Sequence, residues 1–211
     1  MRILITAGGT REYIDPVRFI SNASSGKMGY ALARAAIKAG HKVTLITAPT
    51  NQRPPIEAKL VKVETAAQMF EAVKGHFSQC DCLIMAAAVA DYTPARPAKS
   101  KIKRTGKSIT VKLKPTPDIL KWAASHKKKT QIVVGFALED KSLRTRAEKK
   151  MTDKNIDMII ANSPIAIGAD KSSVHIKTTA CPWLEIQNVT KFVTANKIIR
   201  LVEKLHQTRF D

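Results

Sequence analysis

The sequence predicts an α/β fold: a mostly parallel sheet covered by helices on both faces, in one domain spanning residues 1–211. Three observations carry this. Five short apolar runs recur along the chain, the segments between them show helical periodicity, and 211 residues with 44% apolar and 25% charged side chains can bury a sizeable core.

Residues 2–7, Arg-Ile-Leu-Ile-Thr-Ala, form the first strand and stop at Gly8-Gly9. Ser24 or Ser25 offers an N-cap to a helix in which Met28, Leu32, Ala35, Ala36 and Ala39 recur at helical spacing until Gly40 ends it. Residues 42–47, Lys-Val-Thr-Leu-Ile-Thr, read as a second strand and complete a βαβ unit. The pattern then repeats with a helix near 65–77, a strand from Cys82 to Val89 and a helix from Pro117 to His126. A strand from Gln131 to Ala137, a helix near 139–154 and a strand at Met158–Ala161 follow. In such a sheet ligands sit beyond the carboxyl ends of the strands, so functional residues are expected in the strand-to-helix loops.

One stretch breaks the alternation. From Ser100 to Lys114 two period-2 segments flank Arg104-Thr105-Gly106-Lys107, which predicts a basic β-hairpin arm over about 100–114. Val174–Lys177 and Trp183–Ile186 suggest a second short pair, ahead of a closing helix with Phe192, Ala195, Ile199, Val202 and Leu205 on one face.

Lys and Arg number 36 against 17 Asp and Glu, a net charge of +19 that favours a polyanionic ligand. The basic residues are scattered apart from Lys127-Lys128-Lys129, and aromatics are only 5%, which argues against a nucleic-acid-binding module built on base stacking. No window approaches the length and apolarity of a membrane span, and Ile3-Leu4-Ile5 is too short for a secretory signal, so a cytoplasmic protein is expected. Cys80, Cys82 and Cys181 are read as reduced thiols, because Cys80-Asp-Cys82 lacks the spacing of a zinc site. No residues are assigned to a metal.

Four constellations could carry chemistry. Gly8-Gly9 lets backbone N–H groups approach an anion, or makes a tight structural turn; the G-x-G-x-x-G spacing of a dinucleotide fingerprint is absent. Ser24-Ser25-Gly26-Lys27 lies at a helix start, where free N–H donors suit phosphate, but it lacks the remaining features of a P-loop. Ala86-Ala87-Ala88-Val89-Ala90-Asp91 lets a planar ring approach backbone and offers Asp91 to a sugar or base, unless Asp91 only caps a turn. Lys101 leads the basic arm, and Lys150 and Lys154 share a helix face, placed to hold a triphosphate or simply solvated.

Taken in order, Ile5-Thr-Ala-Gly-Gly-Thr-Arg-Glu, Ile14-Asp-Pro-Val-Arg-Phe-Ile-Ser-Asn, Ser24-Ser-Gly-Lys-Met-Gly, Ala86-Ala-Ala-Val-Ala-Asp-Tyr, Lys101-Ile-Lys-Arg, Pro117-Asp-Ile-Leu and Val134-Gly-Phe-Ala-Leu-Glu resemble the phosphopantothenoylcysteine synthetase (phosphopantothenate–cysteine ligase) family. The likeness runs to about residue 162 and thins beyond it. It implies a Rossmann-like fold and a place in coenzyme A biosynthesis. It also implies a two-step ligation of 4′-phosphopantothenate to L-cysteine through an acyl-nucleotide, with Mg2+ and CTP (or ATP) consumed and pyrophosphate released. By position, Asn22 resembles the asparagine that contacts the acyl intermediate, Lys101 a lysine on a mobile arm over the phosphates, and Arg18 a clamp for a substrate anion. The resemblance places Met85, Ala86, Ala87, Asp91, Lys101, Thr116, Pro117, Asp118, Ile119, Phe136, Lys150 and Lys154 in the nucleotide pocket, with Gly8, Gly9 and Ser25 near the phosphates.

Two departures stand out: Thr116 where relatives carry Asn before Pro-Asp, and Glu139-Asp140 where they often show Ala-Glu-Thr. Relatives are commonly fused behind a flavin-dependent decarboxylase. This chain starts at the first synthetase strand, so no flavin is expected unless a separate decarboxylase chain supplies it. A homodimer is implied, with the basic arm reaching across to the partner. A short-chain-type NAD(P) oxidoreductase is the competing reading, weakened by the missing fingerprint glycines and Tyr-x-x-x-Lys pair.

Overall fold

Residues 1–166 and 168–209 are described by a computed structural model; Phe210 and Asp211, the end of the expected domain, lie outside the described residues. β1 (Arg2–Ala7) leads through a small antiparallel pair, β2 (Arg11–Tyr13) and β3 (Phe19–Ser21), into α1 (Lys27–Lys38). Then come β4 (Lys42–Thr47), β5 (Lys59–Lys62), α2 (Ala66–Phe77) and β6 (Cys82–Met85). A second antiparallel pair, β7 (Tyr92–Pro94) and β8 (Leu113–Pro115), precedes α3 (Ile119–His126), β9 (Ile132–Leu138), α4 (Leu143–Asp153) and β10 (Met158–Asn162). β11 (Lys171–Thr178), β12 (Leu184–Thr190) and α5 (Lys191–Gln207) close the chain.

The central sheet has eight strands in the order β12-β11-β10-β9-β6-β1-β4-β5. The six from β10 to β5 are parallel, and β11 and β12 extend them antiparallel, so the expected short pair becomes a sheet edge. The parallel part has the doubly wound order, and the strand sequence reverses between β1 and β6, where a crevice opens beyond the strand ends.

Side-chain alternation on β1 divides the core. Ile3, Ile5 and Ala7 join Leu32 of α1 and Ile199 and Val202 of α5 on one face. Leu4 joins Met69 and Val73 of α2, Ala123 of α3 and Ala147 of α4 on the other. Helices thus cover both faces, as the sequence predicts. Ala195, Ile199, Val202 and Leu205 are buried as expected, whereas Phe192 is half exposed at the first turn of α5.

Four boundaries and one motif differ from expectation. α1 is capped by Gly26 in a left-handed conformation (φ 73°) with no side-chain bond, rather than by Ser24 or Ser25. Its end is as expected: Gly40 (φ 81°) donates to Ile37 O at 2.8 Å and His41 to Ala36 O at 3.0 Å. β6 stops at Met85, because Ala86 N turns back to Ile84 O and Ala87 N bonds the Thr6 hydroxyl, which breaks the ladder before Ala88 N reaches Gly8 O. α3 starts at Ile119 under an Asp118 cap, and α4 at Leu143 after left-handed Ser142. The arm is not a hairpin at 100–114. Only Leu113–Pro115 pairs, with Tyr92–Pro94, and residues 101–112 form an irregular excursion. The reason is physical: this segment has no buried face to reward strand pairing, and its like charges oppose close approach.

Candidate active site

Three loops at the carboxyl ends of β1, β6 and β9 build one cavity of about 820 Å³. The first loop needs its glycines for close packing. Gly8 has φ 82°, and a Cβ there would lie 2.8 Å from Ala48 O; a Cβ on Gly9 would lie 2.8 Å from Asn22 O. A Cβ on Gly29 would meet the Cβ of Ala7 at 2.5 Å, so this residue lets α1 lie close on β1 and brings the helix start to the sheet edge.

The loop after β6 is fixed from every side. Ala87 N donates to Thr6 Oγ1 at 3.1 Å, Ala88 N to Gly8 O at 2.9 Å and Ala90 N to Thr10 Oγ1 at 2.9 Å. Thr116 Oγ1 donates to Ala90 O at 2.6 Å, and Thr116 N to Asp91 O at 2.9 Å. Asn22 Nδ2 donates to Ala88 O at 3.3 Å and Val89 O at 3.1 Å, joining the β1 loop to the β6 loop. Thr6 and Thr10 are fully buried, and their hydroxyls satisfy backbone groups that a loop would otherwise leave unpaired.

Cationic groups converge on the same space. Lys150 Nζ donates to Phe136 O at 2.9 Å, and Lys154 pairs with Asp118 at 2.7 Å. Burial lowers the Lys150 pKa and repulsion from Lys154 adds to it, against attraction from Glu139, Asp91 and Asp118. Burial raises the Asp118 carboxyl, but bonds from Lys154 and from the Lys121 N–H outweigh it and leave it below the ordinary range. A second pair comes from α1 and α5. Lys27 Nζ bonds Asp170 at 2.7 Å, and Lys191 is lowered by burial and by Lys27. The α1 start, which has no side-chain cap bond and no acidic residue in its first turn, aims its N–H ends at the same space.

Of the residues expected here, Asn22, Ser25, Met85, Ala86, Ala87, Asp91, Thr116, Pro117, Asp118, Ile119, Phe136, Lys150 and Lys154 all line the cavity. Gly8 and Gly9 support its loops without forming its wall. Arg18 and Lys101 stand apart from the wall: Arg18 pairs with Asp15 and donates to Ile102 O at 2.8 Å, and Lys101 is exposed at the base of the excursion.

The structure adds Lys27, Tyr92, Glu139, Asn162, Gly168 and Lys191 to the wall. Asn162 ends a parallel strand and was findable by that rule, and Lys27 lies within the Ser-Ser-Gly-Lys run. Lys191 carries no local signal, because it arrives from the far end of the chain. Among the described residues no cluster of three His, Cys, Asp or Glu could hold a metal by itself, and no helix is long and apolar enough to cross a membrane.

The profile of the family described as DNA/pantothenate metabolism flavoprotein C-terminal domain matches residues 1–205. The coenzyme A biosynthesis bifunctional protein CoaBC of Bacillus subtilis is 48% identical over 168 residues, 79% of this chain and 41% of that protein. CoaBC of Borreliella burgdorferi is 42% identical over 203 residues, 95% of this chain and 52% of that protein. The chain therefore spans about half the length of the curated relatives it matches. A crystal structure of a CoaBC C-terminal domain has a TM-score of 0.85 at 38% identity, covering 98% of this chain and 96% of that one. A Cab2 structure in complex with phosphopantothenate-cysteine has a TM-score of 0.84 at 18% identity, covering 99% of this chain and 87% of that one, a likeness of fold.

Proposed function

The chain belongs to the DNA/pantothenate metabolism flavoprotein C-terminal domain family, and from that premise we propose that it is the phosphopantothenate–cysteine ligase of coenzyme A biosynthesis. The carboxylate of 4′-phosphopantothenate attacks the α-phosphorus of CTP, the bond to the β-phosphate breaks, and pyrophosphate leaves with an acyl-CMP behind it. The amine of L-cysteine then attacks the acyl carbon and expels CMP. A carboxylate resists amines until one of its oxygens becomes a good leaving group, and the phosphoryl step needs positioning and charge stabilisation more than covalent help.

One observation carries this reading: two lysine pairs, Lys150 with Lys154 and Lys27 with Lys191, line the same cavity as the N-terminus of α1 and Phe136. Such a site can balance the charge of a triphosphate and offer a ring face to a base. Asn22, bonded to Ala88 O and Val89 O in the free chain, would turn one of its two N–H donors from the loop to the acyl carbonyl as negative charge develops there. Lys101 would act on the phosphates from the rim, and Arg18 on a substrate anion.

Mg2+ fits the donor set only together with nucleotide. It keeps most of its ligands as water and phosphate oxygens and needs one or two carboxylates, which Asp91 in the cavity wall supplies. CTP is the expected nucleotide and ATP the alternative. The working unit is a homodimer, and the product passes to a phosphopantothenoylcysteine decarboxylase.

Mixing the chain with 4′-phosphopantothenate, L-cysteine, Mg2+ and either CTP or ATP tests this. The expected outcome is one pyrophosphate and one nucleoside monophosphate per amide formed, faster with CTP. Absence of pyrophosphate and of amide with every common ribonucleotide overturns it.

A further inference from the structure

The buried carboxylate of Asp15 lies outside the cavity, yet it is the most heavily bonded acid near the site. Its side chain is fully buried, and Oδ1 accepts Val17 N at 2.9 Å and Arg18 N at 2.8 Å. Oδ2 accepts Arg18 Nε at 3.0 Å and Ile102 N at 3.1 Å, and also meets Arg18 Nη2. Arg18 Nη2 in turn donates to Ile102 O at 2.8 Å. Both backbone groups of Ile102 are therefore held by one ion pair. A third bond, Ala98 N to Ile14 O at 2.8 Å, holds the same segment against the same turn.

The bonds stop where burial stops. Within residues 99–110, all of them described, Ile102 is the one residue that is not exposed. The excursion is thus two things in series: a strap from Ala98 to Ile102 fixed to the Asp15–Arg18 turn, and an exposed tip at 103–110. Lys101 sits on the strap, next to the clamped residue. Both ends of the excursion rise from the cavity wall, through Asp91 and Tyr92 on one side and Pro115 and Thr116 on the other. The turn that holds the strap continues through β3 to Asn22, which is bonded to the cavity loop.

We propose that Asp15 is a positioning residue: with Arg18 it clamps Ile102 and thereby sets where Lys101 stands over the reacting phosphates. This deepens the ligase reading and rests on it for the role of Lys101. Asp15 touches no substrate. Bonds from Arg18 hold its carboxyl well below the usual range, so the clamp stays charged through the neutral pH region.

The test uses the full chain and two variants. Asp15→Asn replaces an acceptor oxygen with an amide that cannot receive Arg18 and Ile102 together. Ile102→Pro deletes the donor from the exposed arm, leaves the Asp15–Arg18 pair in place, and stands in if Asp15→Asn does not fold. The first readout needs no activity: tryptic cleavage at Lys99–Ser100, inside the strap, relative to cleavage after Arg104 in the tip. Both variants are expected to raise that ratio by about tenfold, as local opening becomes easier. The second readout is kinetic. Each variant lowers kcat by about tenfold with nucleotide KM moving less than about threefold, and Asp15→Asn adds nothing to the loss in Lys101→Ala.

An unchanged cleavage ratio, or losses from Asp15→Asn and Lys101→Ala that multiply, overturns the proposal. A wild-type chain that makes no product instead removes the ligase reading and with it the role of Lys101, and the cleavage ratio then decides the clamp alone.

Discussion

Replacing Lys150 with methionine separates what the cavity does for folding from what it does for binding. The substitution keeps an unbranched chain, one atom shorter, and removes its charge. In the free protein it deletes the 2.9 Å bond to Phe136 O, worth about 1.5–3 kcal/mol because its donor is charged. It also removes an ammonium that burial and Lys154 disfavour, which works in the opposite direction. The two effects oppose each other, so the melting temperature of the ligand-free protein should move little. Binding is different. A hydrogen bond to a charged phosphate contributes about 1.5–3 kcal/mol, so Kd for CTP with Mg2+ should rise roughly 10- to 150-fold. The sign with pH follows from the lowered pKa of Lys150. Its ammonium loses its proton at lower pH than a free lysine does, and bound phosphate favours the charged form. Wild-type affinity should therefore fall as pH rises through that lowered pKa, while Lys150→Met should show a flatter alkaline limb. Calorimetric titration of both proteins across pH measures this. A variant that binds CTP within about threefold of wild type, where the bond should contribute tenfold or more, would refute the placement of phosphate beside Lys150.

Asn22→Ala should still form acyl-CMP but react slowly with cysteine. Pyrophosphate–CTP isotope exchange checks this, and loss of exchange with nucleotide binding intact contradicts it. Gly29→Val should destabilise the fold by at least about 1–3 kcal/mol, since its Cβ would meet Ala7 Cβ at 2.5 Å; denaturant unfolding reads the change. The pKa of Asp118 is lowered on folding, so its pairing with Lys154 stabilises the protein above the ordinary carboxylate pKa and is lost as pH falls through the lowered value. Because this pair is partly exposed, Asp118→Asn should cost at most about 1 kcal/mol at neutral pH and less in acid, measured by thermal melts at both pH values. Lys101→Ala should lose turnover while the protein melts like wild type.

Much of the fold was legible because its interior strands are continuous apolar runs. Ile3-Leu4-Ile5 and Met158-Ile159-Ile160 are buried on both faces, and no other element suits so short an apolar stretch. β5 was not legible: Lys59-Leu-Val-Lys is an edge strand of four residues, identified only by its register with β4. The basic arm misled for the opposite reason. Its period-2 pattern is real, but alternation without a buried face does not select a strand. At the site, thirteen expected residues meet in one cavity: most lie at strand ends or just before a helix, whereas Lys150 and Lys154 reach it from the end of α4. Lys191 and the Asp15–Ile102 clamp were hidden, since each depends on contacts between segments far apart in the chain, which no local pattern encodes.

In the proposed reaction the acid is activated as an acyl-nucleotide. Supplying 4′-phosphopantothenate labelled with ¹⁸O in its carboxylate, with CTP, Mg2+ and L-cysteine, tests it by mass analysis of the products. One labelled oxygen should appear in CMP for each amide formed, with pyrophosphate unlabelled. Label in inorganic phosphate with CDP as co-product, or amide formed with no label in CMP, would exclude an acyl-CMP intermediate.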